Sequence, residues 1–171
     1  MFRHICVLDF EATCDRSKTF YPPHEVIEFP SVLLEFIDGR YIPISEFQEF
    51  CKPIHNIKLT NFCKELTGIQ QEQVSGGKDF PDVLLAHQQW LERYCDLENT
   101  IIMCCGKWDI CEMMVDECKR WAIKPHSIYK QMIDVKDIFR VRYGDFRGGM
   151  ALMLDYMGLE LQGRHHSGLD D

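Results

Sequence analysis

The sequence predicts a mixed α/β fold: a five-stranded sheet flanked by helices, opening with a three-strand antiparallel meander. Three observations carry this. Apolar runs in the first fifty residues are punctuated by Asp38-Gly39, a strong hairpin signal. Beyond residue 59, helical periodicities alternate with short apolar runs. At 171 residues the chain can bury one sizeable core but not comfortably two, so a single domain is expected over 1–171.

His4 to Asp9 reads as the first strand, within the stretch Val7-Leu8-Asp9-Phe10-Glu11-Ala12-Thr13. Side chains alternate along a strand, so Asp9 and Glu11 share one face and Phe10 takes the other. Residues 14–25, with Pro22-Pro23, form a loop. Glu28 to Asp38 is the second strand, where Pro30 marks an edge or a bulge. Tyr41 to Cys51 returns as the third. Leu59 to Thr67 fits a short helix capped by Thr60 or Asn61 and ended by Gly68. Phe80 to Tyr94 is a long helix: Phe80, Val83, Leu84, His87, Trp90, Leu91 and Tyr94 recur at helical spacing, behind the cap Asp79 and the first-turn Pro81. Thr100 to Cys104 is a buried strand. Trp108 to Trp121 is a helix with Met113, Met114 and Cys118 inward, and Met132 to Asp134 is a short fifth strand. Val135–Tyr143 and Gly149–Tyr156 are helices, the last stopped by Gly158.

Apolar content of 46% with 12% aromatics is that of a folded globular protein. No run of about 18 apolar residues exists, so no membrane span is expected. The start, Met1-Phe2-Arg3-His4, lacks a secretory signal. Nine cysteines, an odd number without a Cys-x-x-Cys pair, are expected to be mostly reduced, buried and structural, with no structural zinc. These readings point to an intracellular protein of the cytoplasm or nucleus. The net charge of −8 argues against nonspecific duplex binding. Basic residues nevertheless concentrate between Lys119 and Arg147, either as a local grip on a phosphate chain or as solvated helix faces.

Two carboxylates held side by side repel unless cations or protons neutralise them, and Mg²⁺ favours such oxygen ligands. On its own, Asp9-Phe10-Glu11 is more readily a solvated strand end. Lys107-Trp108-Asp109 sets another carboxylate where a strand meets a helix, which is where α/β proteins bind ligands, although Asp109 also suits a helix cap. Gly163 to Asp171 concentrates His165, His166, Asp170 and Asp171. Histidine is the side chain best poised to move protons near neutral pH. Leu66-Thr67-Gly68-Ile69 is an apolar turn able to wedge against a base.

Taken in order, these segments resemble the DEDDh class of 3′-to-5′ exonucleases, which have an RNase H-like fold. They are most similar to the ERI-type exoribonucleases, relatives of the three-prime histone mRNA exonuclease. Leu8 to Cys14, Glu25 to Pro30, Phe62 to Ile69, Gly106 to Asp109 and Gly163 to Asp171 carry the resemblance, which spans essentially the whole chain. It implies an RNase H-like exonuclease domain that releases nucleoside 5′-monophosphates from RNA 3′ ends, single-stranded or with a short overhang. Asp9, Glu11, Asp109 and Asp171 would hold two Mg²⁺ ions, with Mn²⁺ a possible substitute. His166 and Glu11 would be catalytic, His166 as general base. Ala12, Thr13, Leu66, Thr67, Gly68, Ile69, Trp108 and His166 would contact the terminal nucleotide, with Trp108 alternatively a core residue.

The chain departs from the family pattern at Asp171, where relatives continue into a helix. That implies either a shortened form of an active enzyme or a catalytically weakened RNA-binding or adaptor form of the same fold.

Overall fold

The structure is a computed structural model, and it describes residues 1–17, 23–164 and 166–169. Its strands are β1 (His4–Leu8), β2 (Glu11–Ala12), β3 (Val26–Ile37), β4 (Arg40–Phe50), β5 (Thr100–Cys104) and β6 (Met132–Asp134). Its α-helices are α1 (Asn61–Thr67), α2 (Gln71–Ser75), α3 (Phe80–Tyr94), α4 (Met114–Arg120), α5 (Val135–Tyr143) and α6 (Met150–Met157).

The expected meander is present: β1 pairs antiparallel with β3, and β3 antiparallel with β4. β5 then joins β1 in parallel, and β6 joins β5 in parallel. The sheet has six strands rather than the expected five. The first strand breaks after Leu8 and resumes as β2, so the extra strand is its continuation. The register carries straight through, from Leu8 opposite Ser31 to Glu11 opposite Glu28, and shifts only at Ala12. Asp38 and Gly39 turn the β3–β4 hairpin with φ of 50° and 85°, the left-handed pair that an Asp-Gly hairpin turn requires.

The main core gathers around Phe29, which is fully buried. Phe10 meets it edge-on at 4.6 Å, so Phe10 occupies the face opposite Asp9 and Glu11, as alternation requires. His87 of α3 is also fully buried, stacked on Phe29 at 4.4 Å. Its Nδ1 pairs with Tyr129 Oη at 2.6 Å and its Nε2 with Ser31 Oγ at 2.9 Å. Both ring nitrogens are therefore satisfied, as a buried polar group demands. Burial pushes the imidazole pKa down to about 3, so it sits in the core uncharged.

The expected Trp108–Trp121 helix opens with a π-helical turn over Asp109–Met113 before α4. Glu117 of α4 accepts the Val26 N–H at 2.9 Å and pairs with Arg120 at 2.5 Å, while Arg120 donates to His24 O at 2.9 Å. This buried pair ties α4 to the start of β3. Arg120 is thus structural rather than part of a phosphate-gripping face. Among the described residues, no helix is long and apolar enough to cross a membrane. The cysteines are free thiols, mostly buried or half-buried, with Cys111 exposed.

Candidate active site

The strand end formed by Asp9 and Glu11 is the base of the site. Glu11 is buried and Asp9 half-buried. Asp109 joins them from a distant part of the chain: its Oδ1 accepts the Phe10 N–H at 2.9 Å. The third carboxylate is therefore fixed on the peptide between the first two. β5 makes this possible, because its parallel pairing beside β1 delivers the following turn to the same edge of the sheet. Asp109 is only 4% exposed. Burial raises its pKa, opposed by the Phe10 hydrogen bond and the positive charge of Lys136. The thiol of Cys105 is pushed up to about 11, by burial first, and the carboxylates of Asp9, Asp134 and Asp109 act in the same direction.

A cavity of about 550 Å³ opens beside Asp9, with His166, Lys136, Leu169 and Cys105 in its wall. The expected catalytic histidine thus faces the same space as the first carboxylate. His166 holds φ of 62°, a left-handed backbone unusual for a residue with a side chain. Gly168 seats this loop. A Cβ there would collide with the Pro30 ring and come within 3.1 Å of Asp9 O, so only glycine allows the loop to lie on the strand end. Asp171 lies outside the described residues, as do His165 and Asp170.

The residues expected to contact a nucleotide divide by exposure. Trp108 is 38% exposed and meets His24 edge-on at 6.1 Å, so it is not a core residue. Leu66 is half-buried. Ile69 instead points into a small second core with Ile27, Leu59, Cys63 and Val74. Thr67 is buried, with its hydroxyl donating to Cys63 O at 2.9 Å and accepting from Ile69 N at 3.1 Å. Thr13 is buried too, and its hydroxyl accepts the Glu25 N–H at 2.9 Å. Glu25 in turn accepts from the backbone N–H groups of Ile54, His55 and Asn56 at 2.6–3.1 Å. The Glu25–Pro30 stretch therefore braces the loop behind the site. Cys63 is buried, and its thiol donates to Ala12 O at 3.6 Å.

Three site residues were missed by the sequence reading. Glu28 is buried and directly opposite Glu11 across the antiparallel pair, so both carboxylates face the same side. Gln48 donates to it at 2.5 Å. Lys136 follows β6 by two residues and reaches the site because that strand ends beside β5. Arg164 clasps the end of α1, donating to Glu65 O at 2.5 Å. The resemblance segments contained Glu28 and Arg164, but only pairing and packing reveal what each meets.

The donor set fits a hard divalent cation: Asp9, Glu11 and Asp109 offer only carboxylate oxygens, two of them from buried residues. Among the described residues no three His, Cys, Asp or Glu groups suffice by themselves to hold a metal.

Comparison with known proteins agrees with this architecture. The profile of the RNase_T family, described as exonuclease, matches residues 6–171. The 3′-5′ exoribonuclease 1 of Mus musculus is 34% identical over 185 residues, covering 99% of this chain and 50% of the relative. ERI1 exoribonuclease 3 of Homo sapiens is 34% identical over 175 residues, with the same two coverages. The chain thus spans about half the length of the curated relatives it matches. Among solved structures, the nuclease domain of 3′hExo, a DEDDh family member bound to rAMP, superposes with a TM-score of 0.88 at 32% identity, covering 99% of this chain and 86% of that one. A 3′-exonuclease in 3′-end specific recognition of the histone mRNA stem-loop superposes with a TM-score of 0.87 at 30% identity, covering 99% and 59%.

Proposed function

The chain belongs to the RNase_T exonuclease family, and from that premise we propose that it is a metal-dependent 3′-to-5′ exoribonuclease. Its substrate would be an RNA 3′ end, single-stranded or with a short overhang, and its product a nucleoside 5′-monophosphate. Residues 1–171 would form a single exonuclease domain. The observation that carries the reading is the Asp109–Phe10 hydrogen bond, which joins a third carboxylate to the Asp9–Glu11 strand end beside the His166 cavity. Relatives acting on RNA 3′ ends support the substrate class.

Asp9, Glu11 and Asp109, with Asp171, would hold two Mg²⁺ ions, for which Mn²⁺ could substitute. Cations bound there would neutralise charge on the phosphoryl group and acidify an attacking water. His166 takes the proton from that water as general base, a step typically worth about 10²–10⁴-fold. Glu11 fixes the acidic edge beside it. The terminal base rests against the exposed edge of Trp108 and against Leu66, which can hold an unpaired base without reading its identity. Ala12, Thr13, Thr67, Gly68 and Ile69 contribute through the main chain, since the side chains of Ala12, Thr13, Thr67 and Ile69 are buried.

A 5′-labelled single-stranded RNA incubated with Mg²⁺ or Mn²⁺ tests this, with Asp9→Ala as control and a DNA oligomer in parallel. Stepwise shortening that requires metal and Asp9 is expected. Binding without shortening, or shortening that survives Asp9→Ala, overturns it and favours the adaptor form.

A further inference from the structure

We propose that Lys136 binds a backbone phosphate of the RNA in the cleft beside Asp9 and His166. This rests on the exoribonuclease reading and adds to it a substrate-binding cation. The site as described so far is almost wholly acidic. Asp9, Glu11 and Asp109 meet at one edge of the sheet, and the chain carries a net charge of −8. A polyanion entering such a cleft needs positive charge placed to meet it.

Among the described residues in the cavity wall, Lys136 is the one lysine or arginine, and it shares that wall with Asp9 and His166. Its ammonium makes no ion pair among the described residues. The carboxylates nearest in sequence are already committed: Asp134 Oδ1 accepts the N–H groups of Gly106 and Lys136, each at 2.9 Å. Asp137 pairs with Lys107 at 3.1 Å and with Arg140 at 2.6 Å. Asp134 thereby pins the start of α5 to the Gly106 turn and fixes where the Lys136 side chain begins. That side chain crosses the turn, with Nζ 3.4 Å from the point a Cβ on Gly106 would occupy. A half-buried ammonium held over the carboxylate edge, facing a cavity and in no ion pair among the described residues, suits a phosphate. Lysine binds phosphate as a point charge without demanding a fixed fork geometry. That tolerance suits a backbone that must advance by one nucleotide after each cut.

The test compares wild type with Lys136→Gln and Lys136→Arg by two measurements. The first is affinity for a labelled single-stranded RNA in EDTA, which stops metal-dependent turnover, as a function of salt. The second is steady-state shortening with Mn²⁺. Lys136→Gln is expected to weaken RNA binding and raise KM by about tenfold, with kcat changed less than about threefold. It should also lower the slope of log affinity against log salt by about 0.7, one phosphate contact on a single strand. Lys136→Arg should recover most of the affinity and the slope. A merely structural lysine would change the melting temperature and leave the salt slope intact. An unaltered slope and affinity in Lys136→Gln overturns the proposal, as does an absence of RNA binding by wild type. If wild type binds RNA without shortening it, the exoribonuclease reading fails while the binding data still judge Lys136.

Discussion

The guanidinium of Arg164 occupies the space that a Cβ on Gly68 would fill. Gly68 closes α1 at φ of 80°, donating its N–H to Lys64 O, and its missing side chain leaves an opening over the helix end. Through that opening Arg164 donates to Glu65 O at 2.5 Å and Leu66 O at 3.4 Å. Two unpaired carbonyls of the last turn are thereby satisfied. His166 follows two residues later, so the histidine loop and the nucleotide-side turn are held by one contact.

Gly68→Ala should therefore be costly twice: a left-handed backbone that alanine resists, and a collision with Arg164. A loss of about 1–3 kcal/mol is expected from such a site, read as a lower melting temperature. Arg164→Ala in the same chain should relieve the collision but not the backbone strain. A double-mutant cycle then gives a coupling above about 0.5 kcal/mol. Strict additivity of the two substitutions would contradict the contact.

Asp109→Asn separates charge from structure. The amide oxygen can still accept from Phe10 N–H, and the variant is relieved of a carboxylate whose burial is unfavourable. The melting temperature of the metal-free variant should be at or above wild type. Saturating Mn²⁺ should stabilise wild type by RT ln(1 + [L]/Kd), about 2.7 kcal/mol at a hundredfold excess over Kd, and the variant far less. Exoribonuclease turnover should fall on the order of 10³-fold, the scale of losing several kcal/mol of charge stabilisation. Equal Mn²⁺ stabilisation of both proteins would argue against Asp109 as a ligand.

For His166→Ala, the expected result is a kcat lowered by about 10²–10⁴-fold with RNA affinity kept within a few-fold. Anisotropy and single-turnover kinetics on the same preparation separate the two. A matched loss of both would assign His166 to binding rather than proton transfer.

His87 sets part of the acid limit of the fold. Its folded pKa, about 3, lies below the ordinary 6.5, so the unfolded chain binds the extra proton first. Its contribution is fully present above pH 6.5 and is lost as the pH falls from there toward 3. The total loss is on the order of 5 kcal/mol. His87→Gln, which keeps hydrogen-bonding capacity without the proton uptake, should flatten urea-derived stability between pH 6 and 4, taking about those limits from the same linkage. An unchanged pH slope would mean the proton is taken up elsewhere.

The strands and long helices were legible because their signals are local: alternation around Phe10, the Asp38-Gly39 turn, the period of Phe80 to Tyr94. The one-face placement of Asp9 and Glu11 followed from that alternation, and the β1–β3 register agrees with it. Partnerships across the chain were not legible. Nothing in the spelling of Glu28 says that it lies opposite Glu11, and Lys136 looked like one of several basic residues on a helix. Ile69 was read as an outward wedge, yet it fills a small core with Val74 on the following helix α2, an element too short and polar to have been read as a helix. The π-helical turn at Asp109 likewise has no sequence signature.

The bond between Asp109 and Phe10 spans 99 residues of chain. It can form only after β5 has been made and has docked in parallel beside β1, a slow, non-local closure. Until then the nascent chain carries the Asp9–Glu11 pair without its third acid. An unfinished polypeptide therefore holds no assembled acidic edge.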